Sequence, residues 1–454
     1  MLEILGFILV TILWNIVGTS YLKINPIITL LIAALLLSFL IGIPITEIHL
    51  VIGSGFWKTV KNIGLLIIFG TVIGSSLELS KGTVSIASGL IRLLKNLPLP
   101  YAISTIGYFV SIPVFCDAAF VILSNINKTL SKKTKTSLVG LSVALSTGLF
   151  APHVLVPPTP GPLAAASNLA LDNLFLLIIC GGLLAFILSF CGGVYGQYLS
   201  KKDKNLNLEG SLEVNFKIEK NSPSFNLSIS PIIVPIILMC LGSFLNYSKA
   251  NLSFSYLLNL ITNPNGALLI GVLISFFLKK NDSIFLIKNS LITGFKNALP
   301  IILITGVGGS LGAIIQYVSI ESYLESFTSI NVLSIIIPFA IAAVLKTAQG
   351  SSTVAIITTS TIIFPLLPAL GLDSEMGKVW AIMSLGVGSM TISHANDSYF
   401  WIVSQMSEMD VKTAYKTHTV GTFFQGALGF FLVLIGYLIS VSYTHLTLPT
   451  IYSV

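Results

Sequence analysis

The stretch "YFVSIPVFCDAAFVILSN" (108–125) carries an aspartate, Asp117, shortly after Pro113 in a sequence apolar enough to lie in a lipid bilayer. A charge at the bilayer centre costs at least about 2.5–3.5 kcal/mol, and charged residues there usually mark a ligand or ion pathway. Pro113 ends a helix and frees backbone N–H groups in the turn that follows. The pattern predicts that Asp117 contacts a ligand or carries a proton, although an aspartate that only caps the next helix would also explain it.

A second polar cluster interrupts the apolar stretch "AVLKTAQGSSTVAIITTS" (343–360). Gly350 permits a tight turn, and Ser351, Ser352 and Thr353 bring hydroxyl groups to the start of the next helix. A helix N-terminus carries partial positive charge and unpaired N–H groups, which suit a carboxylate. These four residues are therefore predicted to bind an anionic ligand.

Lys346 is the one basic residue that the pattern places at membrane depth. It could act as counter-ion to an anionic ligand, pair with Asp117 or Asp397, or extend its amine to the membrane surface. The sequence leaves these alternatives open, and we include Lys346 among the candidate binding residues.

Four prolines within six residues interrupt the apolar run "HVLVPPTPGPLAAA" (153–166). A continuous helix is excluded, because each internal proline removes a backbone hydrogen bond and clashes with the preceding turn. Exposed backbone groups around Thr159 and Gly161 are predicted to bind ligand hydroxyls or a cation. The alternative, a proline-rich surface loop, requires the two flanking apolar runs to be separate crossings.

The segment "SHANDSYFWIV" (393–403) places His394, Asn396, Asp397 and Ser398 in an otherwise apolar run. Polar side chains at membrane depth need partners, so this segment is predicted to interrupt a second helix. His394 alone could be a satisfied core histidine. With Asp397 three residues later it becomes a candidate proton carrier.

The composition determines the class of protein to which these residues belong. The chain has 454 residues, of which 54% are hydrophobic and only 9% charged, with a mean hydropathy of +0.93. Soluble proteins carry about 25% charged residues, and apolar runs of about 20 residues suffice to cross a bilayer. The sequence therefore predicts a polytopic membrane protein.

The same composition excludes several other classes. The net charge of +7 comes from basic residues scattered through short loops, which argues against a nucleic-acid partner. The four cysteines lie in apolar runs without a metal-binding spacing, and no phosphate-binding GxxxxGK[ST] loop occurs. No cofactor or metal is expected.

Basic loops indicate how the chain crosses the membrane. Apolar runs include 62–80 and 298–316, which are predicted to be full spans. If the segments at about 100–125 and about 332–368 enter and leave on one side, most basic residues fall on one face. The other face then receives only Lys58, Lys61, Lys249 and Lys378. We therefore predict two re-entrant hairpins, with both termini outside.

The chain divides into two halves that resemble each other. The polar segment 199–228 is predicted to be a cytoplasmic linker between a first transmembrane repeat, 1–198, and a second, 229–440. The hairpin segments "FCDAAF" and "GSSTVA" lie 235 residues apart, and "PPTPGP" and "SHANDS" lie 236 apart. The fold class predicted is all-α, with two inverted-topology repeats that each contain a re-entrant hairpin and an interrupted transmembrane helix. Residues 441–454 are predicted to be an atypical tail without function.

Four motifs together resemble the gluconate permease (GntP) family: "IPVFCDAAFVIL", "HVLVPPTPGPLAAA", "QGSSTVAI" and "SHANDSYFWIV". The resemblance extends over about residues 1–440. It implies proton-coupled uptake of sugar acids such as gluconate across the bacterial inner membrane, although some members carry D-serine, glycerate or other small hydroxy acids. It also implies the paired hairpins and interrupted helices of the wider ion-transporter superfamily.

The resemblance also implies which residues form the site. They are Asp117, Thr159, Gly161, Ser351 to Thr353, His394, Asn396 and Asp397. Many relatives carry arginine where this chain has Lys346. Because lysine cannot form a bidentate clamp on a carboxylate, the substrate preference is left open.

The sequence thus predicts a secondary-active symporter, not an enzyme, that takes up gluconate or a related hydroxy acid with a proton by alternating access in the bacterial inner membrane. Its partners are a small organic anion, a proton and the lipid bilayer, and formation of a homo-oligomer is left open. Sodium-coupled carboxylate symport and transport of D-serine or glycerate are the alternatives. A channel is disfavoured because no ring of repeated charge is evident. The candidate substrate-binding residues are Asp117, Thr159, Gly161, Lys346, Gly350, Ser351, Ser352, Thr353, Asn396 and Ser398, and the candidate proton carriers are Asp117, His394 and Asp397.

Overall fold

The computed structural model describes residues 6–7, 10–11, 13–15, 17–202, 222–248, 255–279, 283–317 and 333–447. Within these ranges the chain is all-helical and contains no β-strand. Six of the helices described are long and apolar enough to cross a membrane. The prediction of an all-α polytopic membrane protein is confirmed.

The helices follow one another with short connections. In chain order they are α1 (Pro26–Ile41), α2 (Ile45–Leu79), α3 (Gly82–Leu93), α4 (Leu99–Ser111), α5 (Cys116–Thr134), α6 (Leu138–Leu155), α7 (Pro160–Asn168), α8 (Leu174–Lys202), α9 (Phe225–Ser248), α10 (Ser255–Thr262), α11 (Pro264–Ser275), α12 (Ser283–Tyr317), α13 (Leu333–Gln349), α14 (Ser352–Ile363), α15 (Glu375–Met390), α16 (Ser398–Met406), α17 (Val411–Ala414) and α18 (Val420–Thr447). A π-helical turn at Tyr415–Thr419 leads into α18.

Two helices of 35 residues each, α2 and α12, pack against each other in antiparallel orientation. Ser310 Oγ donates a hydrogen bond to the carbonyl oxygen of Ile52 (2.8 Å), and Thr71 Oγ1 donates one to the carbonyl oxygen of Gly294 (2.9 Å). A Cβ atom at Gly55 would lie 2.5 Å from a backbone oxygen of α12. Such small residues let two helix backbones approach closely in a membrane, where apolar burial contributes little to helix association.

In the first half of the chain, α4 and α5 form a hairpin beside α8. Ser104 Oγ donates to the carbonyl oxygen of Ser189 (2.5 Å) and the Tyr108 hydroxyl to that of Gly182 (3.1 Å), so α4 runs antiparallel to α8. Helix α5 returns and reaches α6 through residues 135–137. Because α6 also runs antiparallel to α8, both open ends of the hairpin lie near the same end of α8.

Helices α13 and α14 form the corresponding hairpin in the second half. Ser384 Oγ of α15 donates to the carbonyl oxygen of Ile335 (2.6 Å), and Gly388, one turn later, packs against the backbone of Phe339. Helices α13 and α15 therefore run parallel, as α4 and α6 do. The chain turns at Gly350, whose φ is +78°, and α14 follows.

The second arm of each hairpin packs beside a short helix from the other half. Helix α5 lies parallel to α16: Ser398 contacts Asp117 at the beginning of both helices, and Glu408 pairs with Lys128 (2.8 Å) further along. Helix α14 lies parallel to α7 in the same way. The short helices α7 and α16 each follow an irregular segment. We call residues 156–159 the first break and residues 391–397 the second break.

Two predicted spans begin later than the helices that contain them. The apolar runs start at 62 and 298, whereas α2 begins at Ile45 and α12 at Ser283. Polar residues such as Lys58 lower the hydropathy of these N-terminal turns without breaking the helix, because α2 has no internal proline. Residues 203–221 of the predicted linker and 448–454 of the predicted tail lie outside the described residues, and α18 extends to Thr447.

Candidate functional site

A cavity of about 90 Å³ lies where the N-termini of α5, α14 and α16 meet. Both halves of the chain contribute to its wall: Asp117 and His153 come from the first, and 350–353, Asp397 and Ser398 from the second. The first-turn N–H groups of a helix have no partner within the helix, and its N-terminus carries partial positive charge. Three such ends around one cavity favour a bound anion.

The carboxylate of Asp117 has only weak partners. Its Oδ2 accepts a hydrogen bond from Ser398 Oγ at 3.4 Å, and its Oδ1 lies 3.7 Å from the thiol of Cys116. In the part of the chain that the structure describes, no cation pairs with it. Asp117 therefore keeps most of its capacity to accept a proton or a ligand hydroxyl group.

Lys346 pairs with Asp397 rather than lining the cavity. Its Nζ lies 2.6 Å from Asp397 Oδ2, and the lysine is 1% exposed. The same amine donates to the carbonyl oxygen of Gly350 (3.1 Å) and lies 5.5 Å from the ring centre of Phe150. Of the alternatives that the sequence left open, the geometry matches the pairing with Asp397. The Lys346 amine thereby connects the turn at Gly350 to the second break.

Asp397 receives two further hydrogen bonds. The hydroxyl of Ser393 donates to Oδ2 (2.5 Å), and the backbone N–H of Tyr399 donates to Oδ1 (3.1 Å). Because Ser393 gives its one proton to the aspartate, His418 Nε2, 3.1 Å away, must donate to the serine. The sequence analysis did not select His418 or Ser393. Ser393 begins the motif at 393–403, whereas nothing in the sequence connects this motif to His418, in the π-helical turn before α18.

His394 and Asn396 attach the second break to the end of α13. His394 Nε2 lies 2.9 Å from the carbonyl oxygen of Thr347, and Asn396 Nδ2 donates to the carbonyl oxygen of Ala348 (2.5 Å). These carbonyls belong to the last turn of α13, where helical partners are missing. Nε2 donates to this carbonyl, and Nδ1 lies 3.4 Å from the N–H of Asn396, so both ring nitrogens have backbone partners.

Thr159 and Gly161 lie away from the cavity. Thr159 Oγ1 donates to the carbonyl oxygen of Val156 (2.5 Å) within the first break, and Gly161 packs against Ile356 of α14. The structure brings seven predicted site residues to the cavity and leaves five outside its wall. Those at the cavity are Asp117, Gly350, Ser351, Ser352, Thr353, Asp397 and Ser398, and those outside it are Thr159, Gly161, Lys346, His394 and Asn396.

His153 is a second histidine that sequence reasoning missed. It lies in the last turn of α6, is 5% exposed and lines the cavity beside Phe115. Within the described part of the chain, its buried Nδ1 atom has no hydrogen-bond partner. A signal was present in the sequence, because His153 immediately precedes the proline-rich break.

Comparison with known proteins places the chain in a family. The sequence profile described as GntP family permease matches residues 3–439. The chain belongs to the GntP permease family. This GntP permease is 33% identical over 441 residues to an uncharacterised permease of Haemophilus influenzae. The alignment covers 92% of this chain and 88% of that protein.

Other relatives carry substrate names. A gluconate permease of Pseudomonas aeruginosa is 27% identical, over 94% of this chain and 96% of its own length. A D-serine transporter of Escherichia coli is 28% identical, over 88% of this chain and 91% of its own length. The GntP permease is thus a transporter and not an enzyme, and it is a multi-pass protein of the bacterial inner membrane.

Among solved structures, the fold is similar to that of the YdaH transporter of Alcanivorax borkumensis, which has an unusual topology. The TM-score is 0.60, the sequence identity is 13%, and the match covers 87% of this chain and 89% of that one. At this identity the likeness concerns the fold alone.

Proposed function

We propose that this GntP permease is a secondary-active symporter that takes up a small hydroxylated carboxylate, with gluconate as first candidate, together with a proton. The observation that supports this most directly is Asp117, a carboxylate without a cation partner, at the meeting point of three helix N-termini. The gluconate permeases among its relatives supply the first candidate substrate.

The turn at Gly350 is proposed to bind the substrate carboxylate. Ser351 caps α14 and accepts the N–H of Val354, so its side chain orders the first turn. The N–H groups of Ser352 and Thr353 precede the first intrahelical bonds and are available to an anion. Hydroxyl groups of the substrate would then contact Asp117 and Ser398 across the cavity.

The charges in the cavity support proton coupling. Lys346 is already paired with Asp397, so no free lysine offsets a second carboxylate beside Asp117. Two unit charges 4 Å apart repel by about 4 kcal/mol at an effective dielectric constant of about 20. Protonation of Asp117 removes this repulsion, and substrate and proton would therefore bind together. His394 and Asp397 stay candidate proton carriers, although both are already fully hydrogen-bonded.

The contacts between α2 and α12 support the proposed inverted repeats, 1–198 and 229–440. The two helices are equivalent in these repeats, have 35 residues each and pack antiparallel, with Ile52 contacting Ser310 and Thr71 contacting Gly294. Antiparallel packing of equivalent helices is expected for two units related by a two-fold axis. Such an axis in the membrane plane is typical of secondary transporters with a site near the midplane.

A larger cavity of about 410 Å³ supports access from one face. It lies between α2, α12 and the far ends of α7 and α14, and it is lined by Lys58, Asn62, Asn168 and Asp172. In the proposed topology Lys58 lies outside. We propose that the substrate enters here and that rearrangement of the hairpins opens the opposite face in turn, as alternating access requires.

The small volume of the cavity makes shorter acids the second candidate substrates. The cavity at Asp117 measures about 90 Å³, whereas a cavity of about 150 Å³ accommodates benzene. Glycerate and D-serine are short enough to need little opening, whereas gluconate requires the cavity to widen.

The test is counterflow and gradient-driven uptake in proteoliposomes, with labelled gluconate, glycerate and D-serine. We expect the wild-type protein to accumulate one of these acids when an inward proton gradient is imposed. Asp117→Asn, which mimics the protonated carboxyl, should retain counterflow but lose gradient-driven accumulation. The control Asp373→Asn changes an exposed aspartate and should behave as wild type.

Two results would contradict the proposal. Accumulation that requires sodium at constant pH would replace the proton by Na⁺, for which carboxylate and hydroxyl oxygens are also suitable ligands. Unchanged proton coupling in Asp117→Asn, with His394→Gln and Asp397→Asn also unchanged, would remove all three proposed carriers.

A further inference from the structure

His153 is the one buried histidine at the cavity whose ring is not accounted for by protein contacts. Its Nδ1 has no partner among the residues that the structure describes, whereas both ring nitrogens of His418 lie 3.1 Å from serine hydroxyls and both of His394 lie near backbone groups. Buried polar atoms in native proteins are nearly always hydrogen-bonded, so an enclosed, unpaired nitrogen in a side chain that lines a cavity indicates that a small movement of the ring is needed to give it a ligand partner.

The surroundings restrict what that partner is. The charged groups near His153 are Asp117, on the same cavity, and the Lys346–Asp397 pair. Nδ1 of a neutral imidazole either donates or accepts, depending on the tautomer, and a hydroxyl group can pair with it in both cases. A carboxylate only accepts, and the N-terminus of α14 already offers it several N–H groups.

We infer that His153 is a substrate-contacting residue that hydrogen-bonds the hydroxyl group on the carbon next to the substrate carboxylate. This inference rests on the proposed function. With the carboxylate on Ser352 and Thr353, only the first carbons of the acid fit within a cavity of about 90 Å³, and His153 borders that space. The His153 side chain would thus make the protein bind 2-hydroxy acids more tightly than their 2-deoxy analogues.

The experiment compares matched pairs of competitors: glycerate against 3-hydroxypropionate, and gluconate against 2-deoxygluconate. Inhibition constants are measured against counterflow of the labelled substrate. A site built to bond a hydroxyl rejects the analogue that lacks it. We expect the wild-type protein to prefer the 2-hydroxy acid at least tenfold, and His153→Leu to bring this ratio close to one by weakening the 2-hydroxy acid alone.

Two further substitutions make the test independent of folding. Asn places its amide near the position of Nδ1, and Gln near that of Nε2, so His153→Asn should retain most of the preference and His153→Gln should lose it. His49→Leu, on an exposed histidine of α2, is the matched control and should retain the full ratio.

The outcomes separate the two proposals. If the wild-type protein neither binds nor transports any hydroxy acid, the proposed function fails. If it does so, and the well-folded His153 variants keep the wild-type ratio, the assignment of His153 is overturned while the proposed function stands.

Discussion

Two aspartates near one cavity differ in their hydrogen-bond and ion-pair partners. Asp397 accepts bonds from Lys346, Ser393 and a backbone N–H, so its charge is balanced and its orientation fixed. Asp117 has a single hydroxyl contact at 3.4 Å and a distant thiol. A proton or a substrate therefore changes the bonding of Asp117 much more than that of Asp397.

The first prediction concerns the buried pair. Lys346→Met leaves the Asp397 carboxylate buried without its cation, which typically costs about 3–5 kcal/mol of unfolding free energy. The double variant Lys346→Met with Asp397→Asn should be more stable than Lys346→Met alone, because no unpaired charge remains. Thermal unfolding in detergent micelles measures both effects.

A partly exposed ion pair provides the control for the substitution of Lys346. Lys378 and Glu375 lie 3.1 Å apart near the surface, and Lys378→Met should change the unfolding free energy by no more than about 1 kcal/mol. If the two substitutions at Lys346 and Asp397 were instead additive, the pair would not be energetically coupled.

At the residue scale, the sequence predicted which polar residues are present at membrane depth, but not how they pair. Asp117, Gly350 and Ser398 meet at one cavity as the motifs indicated. The partner of Lys346 could not be chosen, because the choice between two aspartates depends on how the hairpin turn sits against the break. His153 was missed because its motif was interpreted only through the prolines that follow it and the residues between them.

At the scale of elements, the turn between α13 and α14 depends on one glycine. Gly350 has φ +78°, and a Cβ atom there would collide with the carbonyl oxygen of Asn396 in the second break. The turn and the break thus pack without any side chain between them, and the Lys346 amine bonds the same turn.

The prediction at this scale compares two glycines with positive φ. A side chain in this backbone region costs about 1–3 kcal/mol, and Gly371 (φ +64°) has no atom within 4 Å of the added Cβ. Gly371→Ala should lower the melting temperature modestly and leave transport intact. Gly350→Ala should also displace the turn from Asn396 and reduce the counterflow rate at least tenfold. Equal transport by the two variants would show that this close packing is dispensable.

Interruptions of helices were more predictable than their beginnings. Four prolines made the break after α6 unavoidable, and polar residues in an apolar run marked the break before α16. The first turns of α2 and α12 were not predicted, because hydropathy reports the solvent that a residue prefers and not whether its backbone is helical. Their interface places glycines of one helix against side chains of the other, as at Gly306 beside Phe56 and Gly309 beside Thr59.

At the scale of the whole molecule, the site forms only when the two halves assemble. Helix α5 pairs with α16 and α14 with α7, so the second arm of each hairpin packs against a helix of the opposite half. The second arms of the two hairpins, α5 and α14, and the short helix α16 provide the N-termini around the cavity, while α2 and α12 hold the halves together. The two repeats that the sequence predicts stay a prediction, and the sequence did not indicate which helices of the two halves pack together.

The last prediction concerns the membrane face on which each end of the α4–α5 hairpin and of α8 lies. In a background without the four native cysteines, single cysteines replace Leu97, before α4, and Lys135, after α5. A membrane-impermeant maleimide should label both from the same face, because the hairpin enters and leaves there. Cysteines at Asp172 and Lys201, on either side of the full-length α8, should be labelled from opposite faces, with position 201 on the face of 97. Labelling of 97 and 135 from opposite faces would make α4 and α5 a complete crossing, and the three helix N-termini could then not meet at mid-membrane.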